Sequence, residues 1–143
     1  MNIFNKLSQE EKYLILVRKL KEAFLSFTDN LLDVFTDKNL FLQRIISYQI
    51  PDTVLYIVLK NNIDIELIEN QDESYLKYNL CFLKDYVNYV NENFYKNEDC
   101  FMFKYICDRN VIEFEENIEV IWNWMKILIL LIKKIDSLKD KTN

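Results

Sequence analysis

The chain has 143 residues, a net charge of −5, and neither glycine nor histidine. Without glycine it cannot form the glycine-rich phosphate-binding loops of nucleotide-binding proteins, because these need a backbone without Cβ close to the phosphate. Without histidine it lacks Ser-His and Cys-His nucleophile activation and an imidazole metal ligand. Half of the residues are hydrophobic, which favours one folded domain over residues 1–143 and argues against disorder.

The acidic balance disfavours a general role on nucleic-acid backbones. Three cysteines (Cys81, Cys100 and Cys107) without CxxC spacing indicate free thiols and a reducing, cytoplasmic location. The N-terminus lacks the pattern of a secretory signal, and the longest apolar run, Ile127 to Ile132, is far short of a membrane span. Abundant Ile, Lys, Asn, Tyr and Phe are typical of A+T-rich genomes, including those of many viruses and parasites, which gives some weight to a host-modulating role.

Two helices are predicted in the first third of the chain. A capping box, Ser8 to Glu11, precedes a helix from about Gln9 to Phe27 that continues or restarts through Phe35. Apolar residues recur along it at three- and four-residue steps: Tyr13, Val17, Leu20, Phe24, Phe27 and Leu31. The second helix spans Asn39 to Gln49, carries Leu40, Phe41, Ile45 and Tyr48, and ends before Pro51.

Residues 53–69 fit two interpretations. The β-favouring run of residues 53–59 and the alternating run of residues 63–67 could form a hairpin across Asn61 and Asn62. We favour a short helix from Pro51 to Lys60 followed by an irregular acidic segment, because an isolated hairpin in a helical protein would have little to pair with.

A long helix is predicted from Asn70 or Asp72 to about Tyr95. It carries a heptad-like series: Leu76, Leu80, Leu83, Val87, Val90 and Phe94. Beside it lies a second, aromatic stripe: Tyr75, Tyr78, Phe82, Tyr86 and Tyr89. This stripe favours core or interface packing, and base stacking with single-stranded nucleic acid is the less favoured alternative.

A short helix from Cys100 to about Cys107 is followed by a last helix that begins at Asn110 with an N-x-x-E capping box. Its central seam is apolar: Ile118, Ile121, Met125, Leu128, Ile132 and Ile135. Trp122, Trp124 and several aliphatic residues occupy most other directions, so this helix must be surrounded, either at the centre of a bundle or by a partner. Residues 136–143 are expected to be a frayed tail.

Candidate chemical sites are few. Glu113, Glu116 and Glu119 have the spacing of a carboxylate metal site, but acids at a helix N-terminus explain them more simply. Buried, inert thiols are favoured for the cysteines, with Cys100 the best candidate for a reactive one because it lies near a predicted helix start. The basic residues of the first helix, Lys12, Arg18, Lys19 and Lys21, are expected to be a solvated face.

The sequence therefore predicts an all-α, single-domain bundle of five to seven helices that binds a protein partner or a second copy of itself. We expect no catalysis, no metal, no cofactor and no nucleic acid. The predicted partner-binding residues lie on the last helix (Ile118, Ile121, Trp122, Met125, Leu128 and Ile132) and on the aromatic stripe (Tyr75, Tyr78, Phe82, Tyr86 and Tyr89). The alternative is a peripheral membrane protein anchored by the amphipathic helix Trp122–Ile135.

Overall fold

A computed structural model describes residues 3–84 and 102–141 of the chain. These residues form a short 3₁₀ helix, Ile3–Lys6, and seven α-helices, with no strand among them, which confirms the predicted all-α fold. The α-helices are α1 (Gln9–Val34), α2 (Lys38–Gln49), α3 (Asp52–Asn62), α4 (Ile65–Glu69), α5 (Glu73–Tyr78), α6 (Lys104–Arg109) and α7 (Val111–Lys141).

The start of α1 is the capping box expected from the sequence. The Ser8 hydroxyl accepts a hydrogen bond from the Glu11 N–H at 3.1 Å, and the Glu11 carboxylate accepts one from the Ser8 N–H at 3.2 Å. The helix then continues without a break past Thr28 to Val34, so the first two predicted segments form one helix. Its apolar series from Val17 to Leu31 is buried as predicted.

The hairpin considered for residues 53–69 is wrong, and the preferred helix is confirmed as α3. Pro51 is the residue directly before α3, where its fixed φ angle favours the start of a helix. The segment predicted to be irregular forms another helix, α4, because the Asp64 carboxylate accepts the Leu67 N–H at 3.1 Å and so caps its N-terminus.

The long helix predicted from residue 72 to 95 is wrong in its first part, since α5 ends at Tyr78. The next residues, Leu80 to Leu83, are four consecutive buried side chains. Successive residues of a helix point about 100° apart, so four in a row cannot all face one core from one helix. The Leu80 carbonyl instead accepts the Met102 N–H at 3.0 Å. The remainder of the predicted helix lies outside the described residues.

The core lies mainly between α1 and α7, which pack along each other, and it is rich in aromatic rings. Phe27 of α1 stacks on Trp124 of α7 with ring centroids 5.9 Å apart, and Phe82 meets Phe24 edge-on at 5.2 Å. The predicted short helix at residues 100–107 is displaced: α6 begins at Lys104.

The end of α7 is tied to α3. Residues 136–143, assigned to a frayed tail from the sequence, are helical as far as Lys141. Asp136 accepts a hydrogen bond from the buried Tyr56 hydroxyl and forms an ion pair with Lys60 at 3.0 Å. This polar cluster therefore fixes the C-terminal part of α7 against the third helix.

Candidate protein-binding surface

The helix α2 exposes two aromatic residues and buries several polar ones. Its buried side includes three polar residues, Asn39, Gln43 and Ser47, whereas Phe41 and Tyr48 are 57% and 64% exposed. Both amide atoms of Gln43, which is fully buried, have no hydrogen-bond partner in the part of the chain described. An isolated domain is expected to place rings inside and amides outside. α2 also buries Leu40 and Ile46, but its exposed rings and buried amides depart from this rule and mark its outer side as a candidate interface.

The outer side of α2 forms a continuous stripe. Phe41, Ile45 and Tyr48 recur at steps of four and three residues, so they lie above one another on one helix face. Ile45 is half-buried and joins the two exposed rings. Arg44 lies beside the stripe and Lys38 at its beginning. We call Phe41, Arg44, Ile45 and Tyr48 the α2 surface.

Ion pairs and cation–π contacts hold the α2 surface in one arrangement. The Arg44 guanidinium donates to both carboxylate oxygens of Asp29 on α1, at 2.5 and 3.4 Å. This hydrogen-bonded pair raises the pKa of Arg44 above its already high ordinary value. The Tyr48 ring lies beneath two cations, with its centroid 5.9 Å from Lys21 Nζ and 6.0 Å from Arg44 Cζ. Such contacts limit the rotamers of the ring before any partner arrives.

Lys21 also joins three helices below the surface. Its ammonium donates to the carbonyls of Tyr48 and Ile50 at 2.8 and 2.7 Å, and lies 3.5 Å from the Asp52 carboxylate. A cation at these carbonyls satisfies the C-terminus of α2 and complements its dipole. Lys21 was expected on a solvated basic face, but its side chain is only 15% exposed.

The seam predicted to bind a partner through α7 packs inside the chain's own core. Ile121, Met125, Leu128 and Ile132 are fully buried. Trp122 is 5% exposed, and Ile118 is partly buried against the core. In this arrangement the seam contributes to folding and offers no open surface.

The aromatic stripe predicted over residues 75–89 does not lie on one helix face in its described part, because α5 ends at Tyr78. The Tyr75 hydroxyl accepts the Asp64 N–H at 2.8 Å, Tyr78 is 46% exposed, and Phe82 is fully buried. Tyr86 and Tyr89 lie outside the described residues.

The burial of the two tryptophans bears on the membrane alternative. Trp124 stacks on Phe27 and Trp122 is buried, so the side of α7 that carries the two tryptophans packs against the protein itself. Within residues 3–84 and 102–141, no helix has the length and apolar character needed to cross a bilayer.

The described cysteines are buried thiols. Cys81 and Cys107 are both buried, and burial raises the pKa of Cys107 to about 11, which keeps it protonated near neutral pH. Cys100 lies outside the described residues. In the described parts of the chain, no three Cys, Asp or Glu side chains are arranged to hold a metal ion, and this includes Glu113, Glu116 and Glu119.

A polar cleft of about 400 Å³ lies between α3 and α5. Asn62, Asp64, Tyr75, Cys81 and Lys84 contribute to its lining. The Tyr75 hydroxyl is engaged with backbone groups, and burial raises its pKa. These contacts of Tyr75 tie the start of α4 to α5.

The sequence predicts the helix that carries the α2 surface but not which of its residues are exposed. Leu40 and Ile46 lie on one side of α2, and Phe41, Ile45 and Tyr48 lie on the other. A helix with two apolar sides can bury only one of them against its own core. The two apolar sides of α2 were therefore the signal in the sequence that one of them would remain exposed. Comparison of the chain with models of protein families, with curated proteins and with solved structures finds no significant match.

Proposed function

We propose that this protein is a non-catalytic interaction domain that binds another protein through the α2 surface. The observation that carries the proposal is the pair of exposed rings, Phe41 and Tyr48, on a helix that buries polar residues on its other side. Binding would remove these rings from water, which is the main favourable term in protein association.

The residue types of the α2 surface also support the proposal. Aromatic residues and arginine dominate the few interface positions that account for most binding energy. Here Arg44 and Tyr48 are already held by Asp29 and Lys21. Binding a partner therefore costs less free energy for ordering side chains than it would on a mobile surface.

The exposed face of α2 suits an amphipathic partner segment. A partner helix with apolar residues at three- and four-residue steps would cover Phe41, Ile45 and Tyr48 in register. An acidic group on its rim would face Lys38 and Arg44, and mainly influence the association rate.

The test is affinity purification of the tagged chain from its native cell, followed by binding measurements with the recovered protein. The double variant Phe41→Ala/Tyr48→Ala is compared with wild type and with a control, Leu14→Ala/Ile57→Ala, whose residues are 50% and 46% exposed on other helices. All four side chains are exposed, so the free energy of unfolding should change little.

We expect wild type and control to recover the same partner and the α2 double variant to lose it. With the purified partner, calorimetry should give a Kd at least about 100-fold weaker for the double variant, as two aromatic anchors would. Equal affinity of the double variant and wild type would contradict the proposal, as would an equal loss in the control.

A further inference from the structure

The outer side of α7 carries a second apolar stripe, separate from the α2 surface. Ile112, Val120, Ile127 and Leu130 are 70%, 42%, 44% and 54% exposed. At 3.6 residues per turn, all four point away from the core that Ile121 and its neighbours fill on the opposite side. Single exposed aliphatic residues are ordinary on protein surfaces, but four along one side of one helix form a line that another helix can cover.

Charged residues of opposite sign lie at the two ends of this stripe. Glu116 and Glu119 are exposed in its N-terminal half, and Lys126 and Lys134 in its C-terminal half. None of these four takes part in an ion pair within the described residues. Glu116 and Lys134 are separated by about 27 Å along the helix axis, so they cannot pair within one chain.

We propose that a second copy of the chain packs on this stripe through its own α7, with the two helices antiparallel and related by a twofold axis. A crossing point at the level of Met125 places Glu116 opposite the second copy's Lys134 and Val120 opposite the second copy's Leu130. It also places Asn123 opposite the second copy's Ile127. Each contact occurs twice, as in any isologous interface.

The charge pattern is what selects a second copy over another partner. Glu116 and Lys134 lie at equal distances from the crossing point, so they attract each other between the two copies only when the two helices run in opposite directions. In a parallel pair, the glutamates would face glutamates and the lysines would face lysines, which is unfavourable.

The test is sedimentation velocity of the full chain from about 10 µM to about 1 mM, a range suited to a small interface. We expect a reversible monomer–dimer equilibrium for wild type. Lys134→Glu and Glu116→Lys should each weaken dimerisation about tenfold, because two attractive pairs become two repulsive ones. The combined variant Glu116→Lys/Lys134→Glu exchanges the charges and should restore dimerisation to about the wild-type level.

Two controls show whether dimerisation depends on this stripe rather than on net charge or on the α2 surface. Lys6→Glu makes the same charge change at an exposed residue of the N-terminal 3₁₀ helix and should leave the equilibrium unchanged. Phe41→Ala/Tyr48→Ala should also have no effect, so failure here and failure of the α2 proposal are distinguishable. A chain that stays monomeric throughout the range would overturn the proposal. A dimer that the combined variant fails to restore, or that the α2 double variant abolishes, would overturn it as well.

Discussion

Gln71 occupies a backbone position that suits glycine, and the chain has no glycine to place there. Its φ angle of 52° lies in the left-handed region, directly after α4. The Asp72 N–H donates to the Leu67 carbonyl at 3.0 Å and the Gln71 N–H to the Ile68 carbonyl at 2.9 Å. These two bonds define a Schellman motif, whose left-handed residue is most often glycine because a Cβ is unfavourable there.

Replacing this residue by glycine should therefore stabilise the protein. In Gln71→Gly, relief of the left-handed strain exceeds the greater chain entropy of glycine in the unfolded state. We expect a net gain of about 0.5–1 kcal/mol in the free energy of unfolding. For a chain of this size, that gain raises Tm by roughly 1–3 °C.

Urea unfolding followed by circular dichroism at 222 nm measures the change, with thermal unfolding as a second readout. The matched control is Gln49→Gly, at the last residue of α2, where glycine should lower stability by up to about 1 kcal/mol. If Gln71→Gly is neutral or destabilising, the description of this turn is refuted.

Three further predictions follow from buried groups. Gln43→Met should raise the free energy of unfolding by about 1–3 kcal/mol, because it removes an amide without hydrogen-bond partners; destabilisation in urea would show that the amide is paired. Burial, aided by the hydrogen bond to Asp136, raises the pKa of Tyr56, so folding favours the neutral form of this side chain. Its contribution to the free energy of unfolding is therefore complete below about pH 10 and is lost as the pH rises above that value. Tyr56→Phe should therefore flatten the alkaline decline in stability between about pH 10 and 12, and an unchanged slope would contradict this. Cys107, with its pKa raised to about 11, should resist maleimide labelling in the native protein at pH 7 and react fully in 6 M guanidinium, as read from labelled peptides by mass spectrometry; rapid native labelling would contradict its burial.

The elements that could be predicted are those encoded by local interactions. The capping box at Ser8 fixes the start of α1 through hydrogen bonds three residues apart. Pro51 separates α2 from α3 through its own ring geometry. The periodic apolar side of α1 correctly predicts that the series from Val17 to Leu31 is buried, because one apolar side of a long helix can face the core in only one way.

The elements that could not be predicted depend on tertiary contacts. The spacing of Leu76, Leu80 and Leu83 fits a helix as well as it fits a turn in which every residue is buried. The structure has the second arrangement, in which Leu80 bonds to Met102. Periodicity indicates which residues seek burial, but it contains no information about the direction in which the core lies.

The same ambiguity explains the candidate site. The apolar content of α7 led to the prediction that this helix must be surrounded; the structure buries its central seam in the core and leaves a second apolar side exposed. The exposed large apolar residues include Phe41 and Tyr48 on α2 and the outer residues of α7. Which apolar side of a helix remains exposed is decided by the other helices.

The most direct test of the account is site-specific photo-crosslinking in the native cell, with benzoylphenylalanine in place of Phe41, Tyr48 or, as a control, Leu14. The account predicts that positions 41 and 48 form adducts with the same partner protein and that position 14 forms none with it. Adducts with that partner from position 14 alone, or equally from all three positions, would contradict binding through the α2 surface.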